Sequence, residues 1–108
     1  MEDAQIKVPD FSGQTPLNSY EIIVRLEDID SNNHVNNVHY SAWAMAGVPA
    51  DIYNSKRLED VFINFKHEAL QGDKITAKTY AHGDNAYWHI LTRKSDGKDM
   101  ALIYTTWR

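Results

Sequence analysis

The 108 residues predict an α+β fold in which one long helix is wrapped by a curled antiparallel β-sheet. Three observations lead there. A short β-branched and aromatic stretch comes first, and a polar break then opens into residues of helical spacing. Four further strand-like segments follow, joined by tight glycine turns. With 43% apolar and 24% charged residues, the composition is that of an ordinary globular chain. At this length a single core that buries about two thirds of the unfolded surface is expected.

The elements follow in order. Residues 1–19 combine Pro9, Gly13 and Pro16 with polar side chains and no sustained period, so they read as an arm or linker, leaving residues 20–108 as the domain. "YEIIVRL" (20–26) is a strand candidate. From Val35 the apolar positions 35, 38, 42, 45 and 46 recur at spacings of three and four, the period of a helix, with Asn32 or Asn33 available as its cap. Gly47 and Pro49 interrupt it, and "PADIYN" can add one turn with Pro49 in first position. Residues 57–69, 74–82, 86–94 and 98–107 are strand candidates divided by "QGD", "HGDN" and "SDGK", with Asp96-Gly97 the strongest hairpin signal. A half-wrapped sheet leaves an edge, which a second copy or a second domain would cover.

Bulk properties narrow the function. The chain has no cysteine, which excludes disulfides, thiolate metal sites and cysteine nucleophiles and suits a reducing compartment. No run of 18 apolar residues and no secretory leader pattern is seen, so a cytoplasmic protein without a membrane partner is expected. The net charge is −4; residues 1–54 carry two basic and eight acidic side chains, residues 55–108 nine and seven. Such a balance argues against nucleic acid, whose phosphates call for a clearly basic surface.

"DIDSNNHVNN" (28–37) packs acids, amides and a histidine in front of the helix. As a calcium loop it fails: Asp28, Asp30 and Asn32 hold positions one, three and five, but Asn33 stands at the sixth where glycine is needed and His39 at the twelfth where glutamate is needed. His34 and His39, five apart, share no helix face for zinc. No metal and no cofactor is expected. Two readings remain open. One is a polar turn with a cap, since Asx residues gather at helix starts for local reasons. The other is catalytic: free N–H groups and the positive dipole end of a helix can polarise a carbonyl, with Asp, Asn and His beside them holding a water or a nucleophile. No GxSxG elbow is present.

"VRLEDIDSNNHVNNVHY" (24–40), followed by "FKHEALQGD" (65–73), resembles the C-terminal half of acyl-acyl carrier protein (acyl-ACP) thioesterases, a hotdog-fold family. The shared pattern is Arg25, Asp28-x-Asp30-x-Asn32-x-His34-Val35-Asn36-Asn37, Tyr40, and an acidic residue before a Gly-Asp turn, within a likeness that runs over residues 20–107. A looser form of it occurs in single-domain acyl-CoA thioesterases. The resemblance implies hydrolysis of a fatty acyl thioester to free fatty acid and carrier thiol. It also implies catalytic roles for Asp30, Asn32, His34 and Glu68, with Asp30 or Glu68 activating water or attacking and the amides near Val35 and Asn36 polarising the carbonyl. Strand alternation offers another reading of Glu68, an exposed strand-end carboxylate opposite the face of Val61, Ile63 and Phe65. Plant relatives carry a cysteine after this glutamate; here it is Ala69. The partners implied are an acyl-loaded carrier protein and a second hotdog, supplied by a first half or by self-pairing; the alternatives are a single-domain acyl-CoA thioesterase acting as a homo-oligomer and a non-catalytic acyl-binding or dimerisation module.

The remaining residues read as structure or surface. Trp43, Phe62, Phe65, Tyr80, Tyr87, Trp88 and Trp107 are core or acyl-channel candidates. His67, His82 and His89 read as strand or turn surface, and Lys56, Arg57, Lys66, Lys74, Arg93 and Lys94 as solvated cations able to meet an acidic carrier.

Overall fold

The computed structural model of the chain describes residues 11, 13–25, 37–67 and 69–108, without the side chains of Asn37 and Val38. Its elements are β1 (Asn18–Ile23), α1 (Asn37–Met45), α2 (Ala50–Ser55), β2 (Leu58–Phe65), β3 (Lys74–Ala81), β4 (Ala86–Arg93) and β5 (Asp99–Trp107). The strands form one antiparallel sheet in the order β1-β3-β4-β5-β2, with α1 packed on β3, β4 and β5.

Local chemistry accounts for the last three strands. In β3 the alternation of Ile75, Ala77 and Thr79 with exposed or half-buried Lys74, Thr76 and Lys78 turns one face to the helix, as a period of two requires. The β4–β5 connection closes as expected at Asp96-Gly97: Gly97 takes φ +74°, its N–H donates to the Arg93 carbonyl at 2.8 Å, and the Asp96 carboxylate accepts from the Lys98 N–H at 3.1 Å.

The core lies between helix and sheet. Val24, Tyr40, Ala44, Ala69, Ile75, Leu91, Met100 and Ile103 are buried together, with the small Ala77 and Ala101 among them, where bulk would push the helix off the sheet. A second cluster, Val48, Tyr87 and Trp107 with Met45 and Ile52, seats α2.

The opposite face of the sheet is aromatic. Phe62, Tyr104, Trp88 and Tyr80 stand in register across β2, β5, β4 and β3. The ring of Phe11 stacks on Tyr80 at 4.4 Å and meets Trp88 edge-on at 6.3 Å. That covering explains why β4 is buried on both faces, although a two-layer arrangement leaves the far face of a sheet to water.

Several details differ from the sequence expectations. The first strand pairs over 18–23, because Asn18 and Ser19 already face Thr79 and Lys78 across the ladder. Strand β2 stops at Phe65, where the N–H groups of Lys66 and His67 converge on one acceptor, the Met100 carbonyl, at 2.9 and 3.2 Å. Pro49 is the residue ahead of α2 rather than its first. The helix stripe inferred from spacing includes Ala42 and Ala46, which are exposed; the buried side is Tyr40, Ala44, Gly47 and Val48. Apolar residues spread around a helix give no clear face, and the sheet makes the choice.

His89 corrects the surface assignment made for it. It is 1% exposed, with Nδ1 3.0 Å from Thr79 Oγ1 and Nε2 2.9 Å from Thr105 Oγ1, while the Trp107 indole N–H donates to Thr105 Oγ1 at 3.1 Å. Polar residues at 79, 89 and 105 look like surface in isolation, but they sit on the helix side of three neighbouring strands and satisfy one another. His67 and His82 are exposed.

Candidate active site

Asp30, Asn32, His34, Val35, Asn36 and Glu68 all lie outside the described residues. The structure places the segments that flank them: the first turn of α1 after 26–36, and the β2–β3 connection on both sides of 68.

The two flanks meet at Tyr40. Its ring, 3% exposed, lies edge-to-face with Trp43 at 5.3 Å and with Phe65, the last residue of β2, at 5.2 Å. Its Oη accepts a hydrogen bond from the Ala69 N–H at 3.1 Å. Ala69 is 0% exposed, so its N–H needs a protein acceptor, and it finds one on the helix instead of in the sheet. The rest of the connection is anchored nearby. Leu70 N–H donates to the Asp73 carboxylate at 2.9 Å, Gly72 N–H to the Val24 carbonyl at 2.9 Å, and Val24 N–H to the Asp73 carbonyl at 2.9 Å. The end of β1, the start of α1 and the 66–73 connection thus converge on one corner of the fold. Half-buried His39, with its ring centroid 6.4 Å from that of Trp43, belongs to the same helix turn.

The cationic side chains expected to meet a carrier are divided. Arg93 is held by Asp96 at 2.7 Å and stands 3.7 Å from Asp73, and Lys94 Nζ lies 2.6 Å from Glu21. Lys66 follows the end of β2 at the converging corner, whereas Lys56 and Arg57 precede its start at the opposite end of the sheet. Among the described residues, no group of three or more His, Asp or Glu side chains is placed to hold a metal, and no helix is long and apolar enough to cross a membrane.

Sequence reasoning quoted Tyr40 in the shared pattern but gave it no role. The available signal was a tyrosine four positions before Ala44, on a helix that must bury one side, since a buried hydroxyl needs a partner.

The architecture is that of the hotdog thioesterases. The 12:0-ACP thioesterase from Umbellularia californica superposes with a TM-score of 0.85 at 24% identity, over 100% of this chain and 42% of that one. The family model for the acyl-ACP thioesterase C-terminal domain matches residues 13–108, and the chain belongs to that family. It is 25% identical over 119 aligned residues to the chloroplastic oleoyl-acyl carrier protein thioesterase 1 of Arabidopsis thaliana, covering 94% of this chain and 33% of the relative. A chloroplastic acyl-(acyl-carrier-protein) hydrolase of Cuphea viscosissima is 32% identical over 88 residues, covering 78% and 21%. The chain therefore spans a third or less of the length of these two relatives.

Proposed function

We propose that the chain hydrolyses fatty acyl-ACP to free fatty acid and carrier thiol, acting as the catalytic half of a two-hotdog thioesterase. The observation that carries this reading is the family match over residues 13–108, nearly the whole chain. The motif Asp30-x-Asn32-x-His34 and Glu68 lie within that span.

In the proposed mechanism Asp30 or Glu68 takes a proton from water as its oxygen attacks the thioester carbonyl carbon. Asn32 and His34 orient the carboxylate and the water. Backbone N–H groups near Val35 and Asn36 hold the oxyanion. Collapse of the tetrahedral intermediate breaks the C–S bond, and the proton passes to the departing sulfur. The chain itself supplies every group in this scheme, with no metal or organic cofactor.

Pairing with a second hotdog is part of the proposal. Strand β2 is an outer strand of the sheet, and its Leu58, Val61 and Phe65 are 40%, 39% and 43% exposed, an apolar edge that a first half or a second copy would cover. The cysteine-free composition fits a reducing compartment such as the cytoplasm.

The test is thiol release from acyl-ACP and acyl-CoA substrates of several chain lengths by the 108-residue chain and its Asp30→Asn variant. Turnover on acyl-ACP that the variant loses is the expected result. Preference for CoA esters by a homo-oligomer would favour the single-domain reading. Folded protein that is inactive even with a first half supplied would leave an acyl-binding or dimerisation module.

A further inference from the structure

We infer that Tyr40 is a positioning residue, a strut between α1 and the β2–β3 connection that sets the spacing between the two catalytic segments. This rests on the hydrolase reading above. That reading needs residues 30–36, which lead into α1, and Glu68, in the connection, to act on one carbonyl. They are separated by more than thirty positions in sequence, so tertiary contacts must set the distance between them.

Tyr40 has the form such a strut requires. It stands in the first turn of α1, four residues beyond Asn36. Its ring is fixed from two sides by Trp43 and Phe65, so the direction of Oη is set by packing. Its hydroxyl receives the N–H of Ala69, the residue that follows Glu68. On the other side of Glu68, the His67 N–H is committed to the Met100 carbonyl at 3.2 Å. The connection is therefore tied to the sheet before position 68 and to the helix after it. A phenylalanine would fill the same apolar space without the hydroxyl that links to Ala69. Displacement of a reacting group by about 1 Å can cost as much as a hundredfold in rate, which makes such a link kinetically visible.

Tyr40→Phe keeps the ring and removes the acceptor. Two readouts apply to the folded 108-residue chain, assayed with a first half supplied if the chain needs one. Amide hydrogen exchange at Ala69 should rise by at least about tenfold, because its N–H loses its acceptor. The kcat for acyl-thioester hydrolysis should fall by roughly 10- to 100-fold, with KM held within about threefold. The control is Ile103→Val, a core truncation on β5, measured well below the Tm of both variants; it should leave kcat within about twofold, since general loosening does not move the strut.

Unchanged Ala69 exchange in Tyr40→Phe would overturn the link itself. Raised exchange with unchanged kcat, or an equal loss of kcat in Ile103→Val, would overturn its positioning role. A wild-type chain with no turnover in any arrangement would instead sink the hydrolase reading, and with it the kinetic role of Tyr40, while the exchange result would still decide whether the strut exists.

Discussion

Among the described residues, His89 is the one histidine that the fold buries. Burial drives its imidazole from 6.5 down to about 4, so it is neutral inside the protein at ordinary pH. As pH falls through 6.5, the unfolded chain binds the proton first. The stability that His89 contributes is whole above that value and drains away towards pH 4, by an amount approaching roughly 3 kcal/mol. Urea unfolding at pH 7.5 and 4.5 should show this loss, and His89→Leu should remove that component of the pH dependence. Next to the same network lies Gly47. A Cβ there would meet the Thr79 hydroxyl oxygen at far below contact distance and Thr79 Cβ at 3.2 Å, while the Asn18 amide donates to the Gly47 carbonyl at 2.7 Å. Thr79 has little freedom to yield, because His89 holds its hydroxyl. Gly47→Ala should cost about 1–3 kcal/mol, seen as a Tm lower by on the order of 10 °C.

At the scale of elements, the strands were largely legible and the helix face was not. Three of the four C-terminal strands match their expected ranges to within a residue at each end, because β-branched runs and glycine turns are local signals. The β4–β5 turn shows how local they are. The Arg93 guanidinium bonds the Asp96 carboxyl and holds it down at about 2, and Gly97 supplies the left-handed residue that closes the turn. Gly97→Ala should destabilise by about 1 kcal/mol, measurable as a lower urea midpoint with unchanged slope. Strand β2 was read four residues too long at its C-terminal end, since no turn residue appears before the Gln71-Gly72-Asp73 turn; what ends the strand is the double demand on the Met100 carbonyl and the Ala69 link to Tyr40. Neither contact has a sequence signature. The candidate residues Asp30, Asn32, His34 and Glu68 were legible through motif and family pattern alone, while the helix turn and connection that flank them came from the fold.

Considered whole, the described molecule is a five-stranded sheet packed on α1. Its sheet closes over α1 on one side and is capped by Phe11 on the other, yet β2 keeps an apolar outer edge. A stable partner should bury that edge. Size-exclusion chromatography with light scattering should give a dimeric or larger mass for the chain alone, or a 1:1 complex when a first half is supplied. Val61→Lys, at a side chain 39% exposed, should abolish the association while leaving the circular dichroism spectrum intact. A strictly monomeric wild-type chain that nonetheless turns over substrate would remove pairing from the proposal.

Local sequence was enough for the order of the elements, the turns that join β3 to β5, and the family to which the chain belongs. Each of these is written in a short window of residues whose propensities and spacings act locally. Tertiary structure alone decided which face of α1 is buried, that His89 is enclosed by two threonines, that Tyr40 reaches Ala69 across 29 positions, and that β1 and β2 form the sheet's edges. Those outcomes depend on which distant groups arrive beside one another when the core closes, and a buried polar atom takes its partner from what is near in space.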